Sequence, residues 1–209
     1  MIKNIFLVRH AQSLWNVKNI KQCSIDYSLS EVWIQQAYSI SLGVQINKLF
    51  SSPFQRTKET ANIIAKTHKF PLSSIIFDER LREREVFNEK VDYQLTEGNR
   101  TIINPYILQY PANKKYWEIW ESFLDVHQRL RNFLDECVLK PDCENIIIVS
   151  HAAAINHLIY LLLFWKNNNS ELHYKFFTKF SHIKNASITK MINKNWNFLI
   201  DYFNVVDKK

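Results

Sequence analysis

Two short apolar runs, Ile2 to Val8 and Ile146 to Val149, place the tightest limits on what this chain can fold into. Both carry four consecutive apolar residues, Ile5 to Val8 in the first, instead of an alternation, the pattern of strands covered on both faces, so both are expected as central parallel strands of an α/β sheet. Each run stops at a polar cluster, Arg9-His10 after the first and Ser150-His151 after the second, followed by residues able to start a helix. Two histidines therefore fall at strand C-terminal ends, where open α/β sheets bind their ligands.

The remaining periodicity fills in the layers. Ser30 can cap a helix running through Trp33, Ala37, Ile40 and Val44, and Thr57 to Thr67 reads as a second helix with Ala61, Ile64 and Ala65 inward. Leu49-Phe50 is a short strand ahead of the turn Ser51-Ser52-Pro53. Phe123, Val126, Leu130, Phe133, Leu134, Cys137 and Val138 recur at helical spacing, which predicts an amphipathic helix over Glu121 to Leu139, closed by Pro141. In Ile146 to Trp165 the polar residues Ser150, His151, Asn156 and His157 favour a strand running into a buried helix over a membrane span. Ile188 to Tyr202 reads as a hairpin at one sheet edge, turning at Asn193-Lys194-Asn195.

The segment from Val86 to Trp117 shows no clear period and carries the aromatics Phe87, Tyr93, Tyr106, Tyr110 and Tyr116. It reads equally as an excursion covering a pocket or as an ordinary surface insertion. The expected fold is a three-layer α/β/α domain over residues 1–209, with a mostly parallel central sheet, an antiparallel edge strand and an inserted lid-like segment at 86–117.

Composition removes several function classes. With 2 Gly in 209 residues, no G-x-G-x-x-G or P-loop can be built. The 3 Cys, at Cys23, Cys137 and Cys143, form neither an even set nor a C-x-x-C pair, which argues against a disulfide framework or a zinc site and fits a cytoplasmic protein. The N-terminus lacks the apolar length and cleavage site of a signal peptide. His68, His127, His157, His173 and His182 lack metal-ligand spacing and are expected on the surface or as satisfied core residues. A net charge of +7 suits anionic partners, although the basic residues are scattered, as on an ordinary solvated surface.

Arg9-His10, Arg56 near a helix start, Glu83 after the strand-like Ile75 to Phe77, and His151 could meet at one sheet edge. Such a set suits phosphoryl transfer: a neutral imidazole can attack phosphorus, fixed cations can stabilise the equatorial oxygens, and a carboxylic acid can protonate the leaving oxygen. Arginine fits because its planar fork binds phosphate oxygens bidentately. A single Arg-His pair at a strand end, taken alone, is more often structural.

Leu7-Val8-Arg9-His10-Ala11-Gln12-Ser13 resembles the signature of the histidine phosphatase, or phosphoglycerate mutase-like, superfamily. Trp15-Asn16, Gln22, Asp26 to Ser30, and Gln36-Ala37 keep that family's order, and Ser51 to Thr57 with Thr60-Ala61 resembles its second-arginine motif. Leu81-Arg82-Glu83, Val149-Ser150-His151, and Asn185-Ala186-Ser187 with Asn204 complete the likeness. The resemblance implies that His10 becomes a phosphohistidine, that Arg9, Arg56 and His151 bind the phosphoryl group, and that Glu83 donates the proton. Asn16, Gln22 and the backbone of Ala152 would bind substrate, with no metal and no cofactor.

The chain departs from the family pattern mainly at glycines. Ala11, Trp33 and Ala152-Ala153 stand where glycines are common, Cys23-Ser24 replaces Gly-Trp, and the Gly-x-Trp-x-Gly expected after Glu83 is absent from 86–90. A side chain at a position needing positive φ costs about 1 kcal/mol or more. Nothing between Glu83 and Glu121 resembles the consecutive arginines of the mutase branch, so a phosphatase of a small phosphorylated metabolite is expected, as monomer or homodimer, without nucleic acid or membrane partners. A phosphoglycerate mutase and a catalytically silent phosphate-binding protein are the alternatives.

Overall fold

Strands β1 (Lys3–Arg9), β2 (Lys48–Ser51), β3 (Ile75–Phe77), β4 (Asn145–Ser150), β5 (Ile188–Lys194) and β6 (Asn197–Val205) form one sheet in the order β3-β2-β4-β1-β5-β6. The computed structural model describes residues 3–17, 27–85, 121–140, 143–164, 172, 176, 182–195 and 197–206. β1 to β4 run parallel, β5 is antiparallel to β1, and β6 closes the edge antiparallel to β5.

The continuous apolar runs are explained by helices on both faces. Ile5 and Leu7 of β1, with Ile146 and Ile148 of β4, pack into a core with α4 (Phe123–Phe133) and α5 (Ala152–Leu163). The intervening Phe6, Val8, Ile147 and Val149 face the opposite core, built with α2 (Glu31–Tyr38) and α3 (Gln55–Thr67). A four-residue helix, α1 (Leu14–Val17), follows β1. Among the described residues no helix is long and apolar enough to cross a membrane. The segment 86–117, expected as an insertion, lies outside the described residues, as do Gln22, Cys23 and His173.

Two helices differ from the sequence expectation. α2 stops at Tyr38, short of Ile40 and Val44. Ser39 ends it by donating its N–H to the Gln35 carbonyl and its hydroxyl to that of Gln36, and Gly43 at φ +63° then turns the chain. Ile40 is still buried, because the apolar spacing recorded burial and not helix length. At the other helix, Ser122 is the N-cap in a capping box with Asp125, so Glu121 lies outside α4. The helix passes into a single π turn over Leu134–Val138.

Candidate active site

β1 and β4 are adjacent and parallel, with Arg9 opposite Ser150 in the ladder. The chain leaves β1 toward the α2/α3 face and leaves β4 into α5 on the other face. Neighbouring strands whose connections diverge open a crevice at their C-terminal ends. His10 and His151 are the first residues beyond those ends, buried to 3% and 0% exposure, with ring centroids 5.1 Å apart.

The His10 ring is held in one tautomer. Its Nδ1 lies 2.7 Å from the Ala11 carbonyl, which can only accept, so Nδ1 carries the proton and Nε2 keeps its lone pair. Backbone bonds fix the residue on both sides: its N–H donates to the Ser150 carbonyl at 3.0 Å, and its carbonyl accepts from Ala186 N–H at 3.2 Å and Asn185 Nδ2 at 3.1 Å. His151 places Nε2 3.0 Å from Ser52 Oγ, and its Nδ1 is buried without a partner among the described residues.

Arg56 sits at the second position of α3 and is almost wholly buried, its guanidinium 4.8 Å from the centre of the Phe54 ring. Phe54 also meets the His151 ring at 5.4 Å. The turn ahead of α3 is fixed by Thr57 Oγ1, which lies within hydrogen-bond reach of the carbonyls of Ser52 and Phe54. Arg9 donates an Nη to the Ile183 carbonyl, while its buried Nε finds no acceptor among the described residues.

Burial is the first cause holding both imidazoles well below the usual histidine range. The charges of Arg56 and Arg9 add to it at both rings, each against a charged imidazole. Both rings are therefore neutral at neutral pH, in a pocket whose fixed charge is positive. Burial also works against the Arg9 charge, which the Glu83 carboxylate partly restores.

Glu83 reaches the site from the loop after β3. Its Oε1 accepts the N–H of Arg84 at 2.9 Å and that of Ala153, at the start of α5, at 3.1 Å; Oε2 has a single long bond, 3.4 Å to the same Ala153 N–H. Glu85 instead meets Glu121 through its backbone, its carbonyl accepting the Glu121 N–H and its N–H donating to the Glu121 carboxylate, both at 3.0 Å. The Glu83 carboxylate thus meets the start of α5.

The structure thus brings Arg9, His10, Arg56, Glu83, His151 and the α5 start to one strand-end crevice. That arrangement matches a known family over residues 5–205. The chain belongs to the histidine phosphatase superfamily, branch 1.

Among relatives of this superfamily member, a probable phosphoglycerate mutase GpmB of Erwinia tasmaniensis is 31% identical over 165 residues, covering 76% of this chain and 74% of that protein. A putative phosphoserine phosphatase 2 of Hydrogenobacter thermophilus is 27% identical over 169 residues, covering 77% and 79%. Of solved structures, a mycobacterial glucosyl-3-phosphoglycerate phosphatase in complex with VO3 has a TM-score of 0.75 at 23% identity, covering 97% of this chain and 98% of that one. Mycobacterial hydrolase 1 has a TM-score of 0.79 at 23% identity, covering 99% and 100%. At such identity the solved structures speak for the shared fold.

The departures from the family's glycines carry no backbone strain where they can be seen. Among the described non-glycine residues, positive φ occurs at Lys69, Ala186, Asn195 and Asn204, and not at Ala11, Trp33, Ala152 or Ala153. Asn16 is tied to the site indirectly: its Oδ1 accepts from Ser13 N–H and Oγ and from Asn185 Nδ2, the amide that also holds the His10 carbonyl.

Sequence reasoning gave no role to Ser52, Thr60, Asn185, Glu121 or Arg129. Ser52 and Thr60 stood inside a quoted motif, and Thr60 Oγ1 takes the Ala11 N–H at 3.1 Å while donating to the Arg56 carbonyl at 2.8 Å. Asn185 was visible only as part of the closing hairpin. Of the remaining histidines, His157 is buried against Phe123, and the half-buried His127 lies near Tyr160. Among the described residues no three His, Cys, Asp or Glu side chains are grouped to hold a metal ion.

Proposed function

We propose that this histidine phosphatase hydrolyses phosphomonoesters of a small metabolite through a phosphohistidine on His10, without a metal or cofactor. The observation that carries the reading is a neutral, tautomer-locked His10 beside Arg9, Arg56 and a second imidazole, with the buried Arg9 Nε and His151 Nδ1 left for a ligand. A phosphoryl dianion supplies the acceptor oxygens and the negative charge this pocket lacks.

In the first step His10 Nε2 attacks phosphorus, the bond from phosphorus to the ester oxygen breaks, and that oxygen takes a proton from Glu83. Oε2 is the oxygen suited to hold that proton, because Oε1 is committed to two backbone donors. Arg9 and Arg56 steady the equatorial oxygens. The incoming dianion also offsets the arginine charges that, after burial, oppose a charged His151, which favours its protonation beside the phosphoryl group. In the second step water attacks the phosphohistidine while Glu83 takes its proton back; inorganic phosphate and neutral His10 result. Asn16, Gln22 and the start of α5 at Ala152 are assigned to substrate binding. The free thiols of Cys137 and Cys143 support a cytoplasmic setting.

A second reading, phosphoglycerate mutase-type transfer, is favoured by the name of the 31% identical relative. One set of assays separates the two. p-Nitrophenyl phosphate hydrolysis is measured with EDTA, for wild type, His10→Ala and Glu83→Gln, and phosphoglycerate isomers are followed for interconversion against phosphate release. Hydrolysis lost in both variants, with phosphate released from metabolites, supports the phosphatase. Isomer interconversion with little phosphate release supports the mutase, and full activity without His10 overturns both.

A further inference from the structure

The segment 80–85 carries Glu83 to the α5 start, yet beyond the short 3-10 turn Glu79–Leu81 it has no helix or ladder to hold it. Side chains just before α4 and along it hold it instead. The Glu121 carboxylate accepts Arg129 Nε at 2.8 Å and an Nη at 3.0 Å, an Arg82 Nη at 3.0 Å and the Glu85 N–H at 3.0 Å. The same Arg129 guanidinium donates to the carbonyls of Arg80 and, at 3.3 Å, of Glu83 itself. Arg84 Nε returns to the Glu121 carbonyl at 3.1 Å, with its guanidinium 4.3 Å from the centre of the Phe123 ring. From β4, Ser150 Oγ donates to the Leu81 carbonyl at 2.7 Å.

We infer that the Glu121–Arg129 pair positions the acid of this enzyme, clamping the backbone before, at and after Glu83 so that its carboxyl is presented at the leaving oxygen. The inference rests on Glu83 being the proton donor. A pair that served stability alone could anchor anywhere along the loop. These bonds land on residues 80, 83 and 85, bracketing one side chain, whose carboxylate is then steadied by the Ala153 N–H. The two side chains are only 11% and 10% exposed, so the bidentate fork is not loosened by water. Burial pushes the Glu121 carboxyl up, but the bonds and charge of Arg129 outweigh it and keep the group ionised. Arg129 also reaches the site electrostatically, since its charge is felt at His151.

Leaving-group dependence tests this, because an ester with a good leaving group needs little help from an acid. Arg129→Lys and Glu121→Gln keep volume while breaking the fork, and each is compared with wild type and Glu83→Gln on phenyl phosphate and 2,4-dinitrophenyl phosphate. Thermal unfolding and vanadate inhibition monitor the fold and the phosphate pocket. A positioning role lowers kcat/KM for phenyl phosphate by about tenfold or more, against less than about threefold for the dinitrophenyl ester, with vanadate affinity unchanged. Combining Arg129→Lys with Glu83→Gln then adds no further selective loss, because both act through one proton.

Equal loss on both esters, or no loss on either, while Glu83→Gln keeps its selectivity, overturns the positioning role and leaves the phosphatase reading intact. If Glu83→Gln shows no leaving-group selectivity, the acid assignment fails and this inference fails with it. If one clamp variant does not fold, the other gives the same readout.

Discussion

The imidazoles of His10 and His151 meet edge to face, their planes at 61°. They do so because Arg9 and Ser150, the residues before them, are partners across the β1–β4 ladder. Two strands separated by well over a hundred residues of chain thus deliver their next residues to one crevice. The rings are neutral there because burial and the Arg56 and Arg9 charges oppose protonation.

His10→Ala removes the proposed nucleophile and is expected to lower p-nitrophenyl phosphate turnover by roughly a thousandfold or more. Labelled phosphate trapped on the wild type should be absent from the variant. Unchanged labelling would place the phosphoryl group on another residue.

Arg56→Lys keeps a positive charge but loses the planar fork at a buried position. Vanadate and phosphate affinity should fall by about ten- to a hundredfold, the range of a lost charge-assisted pair of bonds. Competitive inhibition constants for the two proteins measure it.

Acid should destabilise the free protein through its two buried imidazoles. Their folded-state affinity for protons is depressed, so as pH falls below about 6.5 the unfolded chain takes up protons that the native chain does not, and stability drops. Each histidine contributes up to about 1.4 kcal/mol per pH unit below that point, and nothing above it. Urea titrations from pH 7 to 5 should show a shallower slope in His10→Asn and in His151→Asn, and an unaltered slope in both would contradict neutral native rings.

Ala11→Gly restores the residue common in the family, and should gain nothing. Ala11 is fully buried at an ordinary φ, so removing its methyl costs packing and adds backbone entropy to the unfolded state, together about 1–2 kcal/mol. Urea midpoints and kcat/KM, measured side by side, would reveal either this loss or an unexpected gain in rate.

Thr60→Val removes the acceptor of the Ala11 N–H and leaves that buried donor orphaned. A loss of about 1–3 kcal/mol is expected, with kcat reduced because Ala11 carries the carbonyl that orients His10. A variant as stable and as fast as wild type would show that water replaces the hydroxyl.

The amino-acid sequence by itself determined the layered α/β architecture and the chemical class of the site. Consecutive apolar residues at 5–8 and 146–149 have no stable place except between two helical layers, and the residues next in line then lie at a ligand-binding sheet end. It also carried the helix faces of α3 and α4, since periodic burial is a local property of the chain. It could not say where α2 ends, because Ile40 is buried from a loop as fully as from a helix.

What the tertiary structure alone decided is everything that depends on contact across long stretches of chain, or on local dielectric. The charge state of the imidazoles follows from burial beside Arg9 and Arg56. The bond from the Ala153 N–H to the Glu83 carboxylate, and the contacts between residues 80–85 and 121–129, exist only in the packed chain. A side chain's type is written in one dimension, but its field and its partners exist only once distant segments have been packed together with water excluded.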